Sequence, residues 1–180
     1  LGLEFFTANG AAGVKQITQL GVPLFLDLKF HDIPNTVAKA IAATAGMNMF
    51  MMTVHTTGGR DMLKAAIDAS DRVAQTTGKE RPLVIGVTLL TSLDQNDISI
   101  MGFNHTVQEQ VICLADLAMS AGLDGIVCSP FEIAPIRKAV GNELTLVVPG
   151  IRPSGSPAGD QKRILTPKEA LERGADYLVI

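Results

Sequence analysis

Short apolar runs rich in branched residues recur along this chain with longer amphipathic segments between them, and that alternation restricts its possible folds more than any other feature. The runs are Leu24 to Leu28, Met49 to Val54, Leu83 to Leu89, Gly125 to Cys128, Leu144 to Val148 and Tyr177 to Ile180. Each has the length and content of a strand buried on both faces. The stretches Thr36 to Ala45, Gly59 to Thr76, Val107 to Ala121, Pro130 to Val140 and Thr166 to Arg173 place apolar residues at helical spacing among polar ones, which predicts crossover helices. Strand and helix in turn imply a mostly parallel sheet, because parallel neighbours need a crossover and the helices then cover the sheet.

A closed barrel and an open, doubly wound sheet both meet that description. No glycine-rich dinucleotide fingerprint follows an early strand, and polar residues gather after the C-terminal ends of several strands, where a barrel places its site. The expectation is an α/β chain of the (β/α)8 TIM-barrel class, with one domain over residues 1–180. Leu1 to Leu3 reads as the tail of a further strand, which brings the count to about seven, one short of closure. Leu1 is not a Met, and the chain stops on the apolar run Tyr177 to Ile180. The barrel is therefore expected to be truncated at both ends, without its first strand and last helix.

With 180 residues, 47% hydrophobic and 18% charged, the chain can bury the core of a single globular domain. The net charge of −3 and pI near 5.6, with no Lys/Arg run, leave no electrostatic footprint for a nucleic-acid backbone. No apolar stretch approaches the roughly 18 residues that span a bilayer, and the N-terminus lacks the order of a signal peptide. Neither nucleic acid nor membrane is an expected partner, and the expected compartment is the cytoplasm. Cys113 and Cys128 form no CxxC pair and no metal set with His31, His55 and His105, so reduced structural thiols and no metal are expected. The methionines between Met47 and Met52 read as filling for the core.

Chemistry concentrates in Phe25-Leu26-Asp27-Leu28-Lys29-Phe30-His31-Asp32, where an apolar strand ends in charged groups. Side chains alternate along a strand, so Asp27 and Lys29 project to one face, the interior in a barrel. Unpaired charges there would be costly, so the two must pair with each other or with further partners. An Asp–Lys pair could simply close the barrel mouth, but an ammonium beside a carboxylate can also donate a proton and stabilise a developing carbanion. Ile33-Pro34-Asn35-Thr36 then supplies a turn and a helix N-terminus. His31 shares the side of Lys29 only while the strand stays regular, and the chain is expected to be turning there. His55 reads as a hydrogen-bonded core residue or a ligand contact, with core favoured, and His105 as surface. Gly58-Gly59 could admit a phosphate to the backbone or form a tight turn. Cys128 and Ser129 have no base close in sequence and are not read as nucleophiles. The long polar connection Ile151 to Gln161 reads as a ligand-covering loop.

The twelve residues Phe25 to Thr36 closely resemble the signature of bacterial orotidine 5′-phosphate decarboxylases. The likeness continues at Val54-His55, at Val87-Thr88-Leu89-Leu90-Thr91-Ser92, and through Pro149-Gly150-Ile151-Arg152-Pro153 to Gly159-Asp160-Gln161, so it covers essentially the whole chain. The resemblance implies decarboxylation of orotidine 5′-phosphate to UMP with no metal or organic cofactor. Asp27 would stand against the substrate carboxylate, Lys29 would protonate C6, and Asp32 would be donated across a homodimer interface. Ile33 and Thr36 would bind substrate beside Asp32, with Thr36 at the ribose. Thr91 and Ser92 would contact the pyrimidine, while Pro149, Arg152 and Gln161 would belong to the closing loop.

The chain also departs from the family pattern. A lysine expected just before Leu1-Gly2-Leu3-Glu4, an aspartate on a still earlier strand, and a Gly-Arg phosphate loop after Tyr177 to Ile180 are not in it. This stretch alone is therefore expected to be weakly active or inactive. Two rival readings are a metal-dependent phosphosugar barrel, such as a keto-gulonate-phosphate decarboxylase or hexulose-phosphate synthase, and a non-catalytic nucleotide-binding scaffold. The continuation Pro34-Asn35-Thr36 and the Gly150-Ile151-Arg152-Pro153 stretch argue against the first. The cost of the charged cluster argues against the second.

Overall fold

The computed structural model describes residues 1–152 and 165–180. These residues gather into two compact units, Leu1–Gly86 with Ala121–Leu123, and Val87–Ser120 with Asp124–Ile180.

In the first unit, β1 (Phe25–Phe30), β2 (Met51–His55) and the start of β3 (Leu83–Val87) are neighbours in chain order. Met51 to Val54 are buried at consecutive positions, the pattern of a strand covered on both faces. β1 and β2 pair in parallel at Phe25↔Met51 and Leu26↔Met52, and the register then shifts so that Phe30 faces Val54. Between those pairings β1 advances four residues and β2 two. The extra residues form a bulge in β1, at the place where Lys29 takes a left-handed φ of 51°.

Helices α1 (Leu3–Thr18), α2 (Pro34–Ala45) and α3 (Arg60–Thr77) complete this unit. Pro34 opens α2, where its missing N–H costs no hydrogen bond. Gly78 closes α3 in the left-handed conformation that glycine adopts without strain. The two helices pack on each other and bury Val37, Ile41, Met62, Leu63 and Ala66, each of the larger side chains stabilising the fold by roughly 1.5–3 kcal/mol. The strand tail expected at Leu1 to Leu3 is present at its first residues. Gly2 bridges Asp27 in parallel, and the Asp27 amide donates to the Leu1 carbonyl at 2.8 Å. Helix α1 then begins at Leu3 and kinks at Gly10.

The second unit holds β4 (Gly125–Val127), β5 (Thr145–Val148) and β6 (Tyr177–Leu178), with α4 (Gln95–Ile100), α5 (Val107–Ala121), α6 (Ile133–Val140) and α7 (Pro167–Glu172). The strands run parallel and in chain order, with Gly125↔Thr145, Ile126↔Leu146, Val147↔Tyr177 and Val148↔Leu178 as partners. Only glycine fits at the first position, since a Cβ on Gly125 would lie 2.7 Å from that of Thr145. Helix α6 starts three residues later than its apolar spacing suggested, because the Glu132 carboxylate accepts the Ser129 amide at 2.7 Å and ties up the turn before it. Within each unit the order of strands never reverses, whereas a doubly wound sheet changes direction at a switch point.

Candidate active site

At the end of β1 the chain leaves the regular strand and exposes its charges. Lys29 Nζ donates to Asp27 Oδ2 at 2.6 Å, which is the contact that same-face placement on β1 predicts. The Lys29 and Asp27 side chains keep 27% and 30% of their surface accessible, so the pair can meet a ligand. Behind it lies Thr53 of β2, fully buried. Its Oγ1 accepts the Lys29 backbone N–H at 2.9 Å and donates to Asp27 Oδ1 at 2.8 Å. Both oxygens of Asp27 are thereby engaged, one by an ammonium and one by a hydroxyl.

Two histidines flank this cluster. The ring centroids of His31 and His55 stand 5.4 Å apart and tilted by 45°. His55 is half-buried, and burial, followed by the neighbouring His31 and Lys29, lowers its pKa below the ordinary 6.5 while Asp27 opposes the shift. A neutral imidazole is therefore favoured at that position. Gly58-Gly59 is a tight turn: Thr56–Gly58 form one 3-10 turn and Gly59 has a φ of 84°. A Cβ on Gly58 would collide with Met62 and stand 3.2 Å from His31 Cδ2, so glycine lets that histidine sit close.

Beyond β1, residues His31 to Thr36 are all exposed. Asp32 Oδ1 accepts the Ile33 amide at 2.7 Å, Ile33 leaves 67% of its surface uncovered, and the Thr36 amide donates to the Ile33 carbonyl within the turn that starts α2.

In the second unit, Thr91 and Ser92 lie in the turn after β3. Pro149 follows β5, and Gly150 takes a φ of 76°. Arg152 then donates its amide to Leu165 O at 3.0 Å and its Nη1 to Ile151 O at 2.8 Å. Gln161 and most of the connection Ile151 to Gln161 lie outside the described residues. Cys128 is buried, and that burial pushes its thiol far above the ordinary range, which disqualifies it as a nucleophile. His105 is exposed and faces Gln110 Oε1 at 3.2 Å. Among the described residues, no three His, Cys, Asp or Glu side chains converge to hold a metal ion, and no helix is long and apolar enough to cross a membrane.

The sequence model of the orotidine 5′-phosphate decarboxylase / HUMPS family matches residues 1–180. The chain belongs to this family. It is 52% identical over 180 residues to the orotidine 5′-phosphate decarboxylase of Paramagnetospirillum magneticum, a match that covers 100% of this chain and 77% of that protein. The corresponding protein of Pseudoalteromonas translucida is also 52% identical, with 75% of its length covered. A crystal structure of orotidine 5′-phosphate decarboxylase from Lactobacillus acidophilus superposes with a TM-score of 0.87 at 36% identity, covering 99% of this chain and 75% of that one. The parallel strands and crossover helices described above are thus a barrel-type α/β fold of the orotidine 5′-phosphate decarboxylase / HUMPS family. Asp27 and Lys29 stand out in the sequence as charges at the end of an apolar strand, whereas Thr53, which holds both in place, stands inside an apolar run. A single hydroxyl at a position buried on both sides was the available signal, since such a group needs partners.

Proposed function

We propose that this protein decarboxylates orotidine 5′-phosphate to UMP without a cofactor, with Lys29 as the proton donor. The observation that carries the reading is the Lys29–Asp27 pair at 2.6 Å, partly accessible at the end of a strand, in a chain 52% identical to proteins named for this reaction. In the proposed step the bond from C6 to the carboxylate breaks, the electron pair stays on C6 and carbon dioxide leaves. The proton on Lys29 Nζ moves to C6, and the neutral amine regains a proton from water. Nothing but a fixed neighbouring cation is then needed to stabilise the charge that develops on C6. General acid catalysis contributes about 10²–10⁴-fold. The rest of the acceleration falls to binding and orientation.

Asp27 is assigned to the substrate carboxylate and to holding Lys29. Thr91 and Ser92 are assigned to the pyrimidine, and Pro149, Arg152 and Gln161 to a segment beside the bound nucleotide. Asp32, Ile33 and Thr36 are assigned to a second copy's site. Their exposure supports this, because a largely uncovered Ile33 beside a carboxylate suits an interface between copies. The complete architecture is assigned to the eight-stranded barrel and the working compartment to the cytoplasm.

The test is conversion of orotidine 5′-phosphate by the full-length protein in excess chelator, with UMP and carbon dioxide quantified. Equal amounts of both products, unchanged by chelator, are expected. No conversion, or conversion that chelator abolishes, would overturn the proposal.

A further inference from the structure

We propose that Thr53 is a positioning residue for the reaction assigned above, acting through both members of the Asp27–Lys29 pair. The inference rests on that functional reading for its catalytic part and on geometry for the rest. Lys29 has a φ of 51°, a left-handed conformation that is strained for a lysine and persists only where the surroundings hold it. At this position the Lys29 N–H is held by a side chain, donating to Thr53 Oγ1 at 2.9 Å. The same hydroxyl has one proton to give, and it goes to Asp27 Oδ1 at 2.8 Å. The direction of the network is therefore fixed: the Lys29 amide donates to the hydroxyl, the hydroxyl to Asp27, and the Lys29 ammonium to the other oxygen of Asp27.

This arrangement has a consequence for a proton donor. When the Lys29 ammonium gives up its proton, its hold on Asp27 Oδ2 weakens, and a carboxylate with no second partner would be free to rotate. Thr53 keeps the other oxygen in place. The pair then reforms in the same geometry when the amine is reprotonated. Thr53 is fully buried, so water has no ready access to replace its hydroxyl. The residue touches no reacting atom in this scheme. Its effect reaches the reaction through the left-handed backbone at Lys29 and the orientation of Asp27.

The test compares Thr53→Val, which keeps the shape and removes both hydrogen bonds, with Thr53→Ser, which keeps both, and Thr53→Ala as a second deletion in case the valine variant fails to fold. Two readouts are taken on the full-length protein: hydrogen exchange at the Lys29 amide relative to its neighbours, and kcat and KM for orotidine 5′-phosphate. The deletion variants are expected to speed Lys29 exchange about tenfold, as loss of one buried hydrogen bond implies. They are also expected to lower kcat by about tenfold or more with KM within about threefold, and serine is expected to restore both. Unchanged Lys29 exchange, parental kcat in the deletion variants, or a serine variant as impaired as valine would each overturn the proposal. If the exchange result holds but the parent does not turn over orotidine 5′-phosphate, the functional reading fails and the structural role of Thr53 stands.

Discussion

Arg137 bonds to three backbone carbonyls and one carboxylate in the second unit. Its guanidinium closes the C-terminal end of α6, donating from Nε and Nη2 to Gly174 O at 3.1 and 2.9 Å, and from Nη1 to Leu144 O at 2.8 Å and Gly141 O at 3.2 Å. Nη2 also meets Asp176 Oδ2 at 2.6 Å, and that oxygen accepts the Leu146 amide at 2.7 Å. One side chain thus joins α6 to the start of β5 and to the turn before β6. Arg137→Met keeps the apolar stem and deletes the donors. The Gly174 and Leu144 carbonyls are partly buried and lose a charged donor at about 1–1.5 kcal/mol each once water partly replaces it. The ion pair adds only about 0–1 kcal/mol, because the Asp176 side chain is 46% exposed. The total is about 3 kcal/mol. For a chain of this size that lowers Tm by about 6–12 °C. Urea unfolding followed by circular dichroism measures the loss, and Asp176→Asn, which can still accept the Leu146 amide, is expected to cost about 1 kcal/mol. A loss below about 1 kcal/mol for Arg137→Met would refute the reasoning.

Gly125→Ala is expected to cost about 1–3 kcal/mol by urea unfolding, since its Cβ would overlap Thr145 on the paired strand; parental stability would show that β5 moves aside freely. His55 makes part of the stability depend on pH. Its folded pKa lies below the unfolded 6.5, so between those two values the unfolded chain binds a proton that the folded chain does not. Stability contributed by His55 is present above about pH 6.5 and declines as pH falls through that window. His55→Gln is expected to flatten that part of the profile, and an identical slope in parent and variant would contradict the assignment. If Asp32 completes a partner's site, mixing inactive Lys29→Ala and Asp32→Ala proteins is expected to restore about a quarter of parental activity through dimers with one intact site, whereas no recovery after verified subunit exchange would exclude a shared site.

Much of this fold is legible in the sequence because branched apolar runs mark the strands, and β2 to β5 are buried at nearly every position as those runs imply, whereas β1 alternates between buried and partly exposed positions and β6 is partly exposed. All six apolar runs contain a strand, and Val107–Ala121 is a helix with the bounds its periodicity implies. Among the described residues, helices α1 and α4 carry no clear periodic signal. In α1 the apolar residues are interrupted by Gly10 and Gly13, which weaken helical propensity. Helix α4 spans only Gln95–Ile100 and owes its start to the Asp94–Asp97 capping box rather than to a hydrophobic face. In the site, alternation along β1 put Asp27 and Lys29 together correctly, although Lys29 itself is not in a β conformation. The bulge that turns its backbone could not be read from spacing, because it depends on how β1 registers against β2. The hydroxyl of Thr53 in an apolar run signals a need for partners, but which partners it finds on β1 depends on that same register.

In the reaction proposed above, the Lys29 ammonium delivers the proton to C6. The most direct test is the loss of orotidine 5′-phosphate absorbance with the full-length protein, parent against Lys29→Ala, after exchange or circular dichroism shows that both are folded. Rapid loss is expected in the parent, with a fall in kcat of at least about a hundredfold in the variant, the lower bound for removing a general acid. Turnover in Lys29→Ala at or near the parental rate would contradict this role for Lys29.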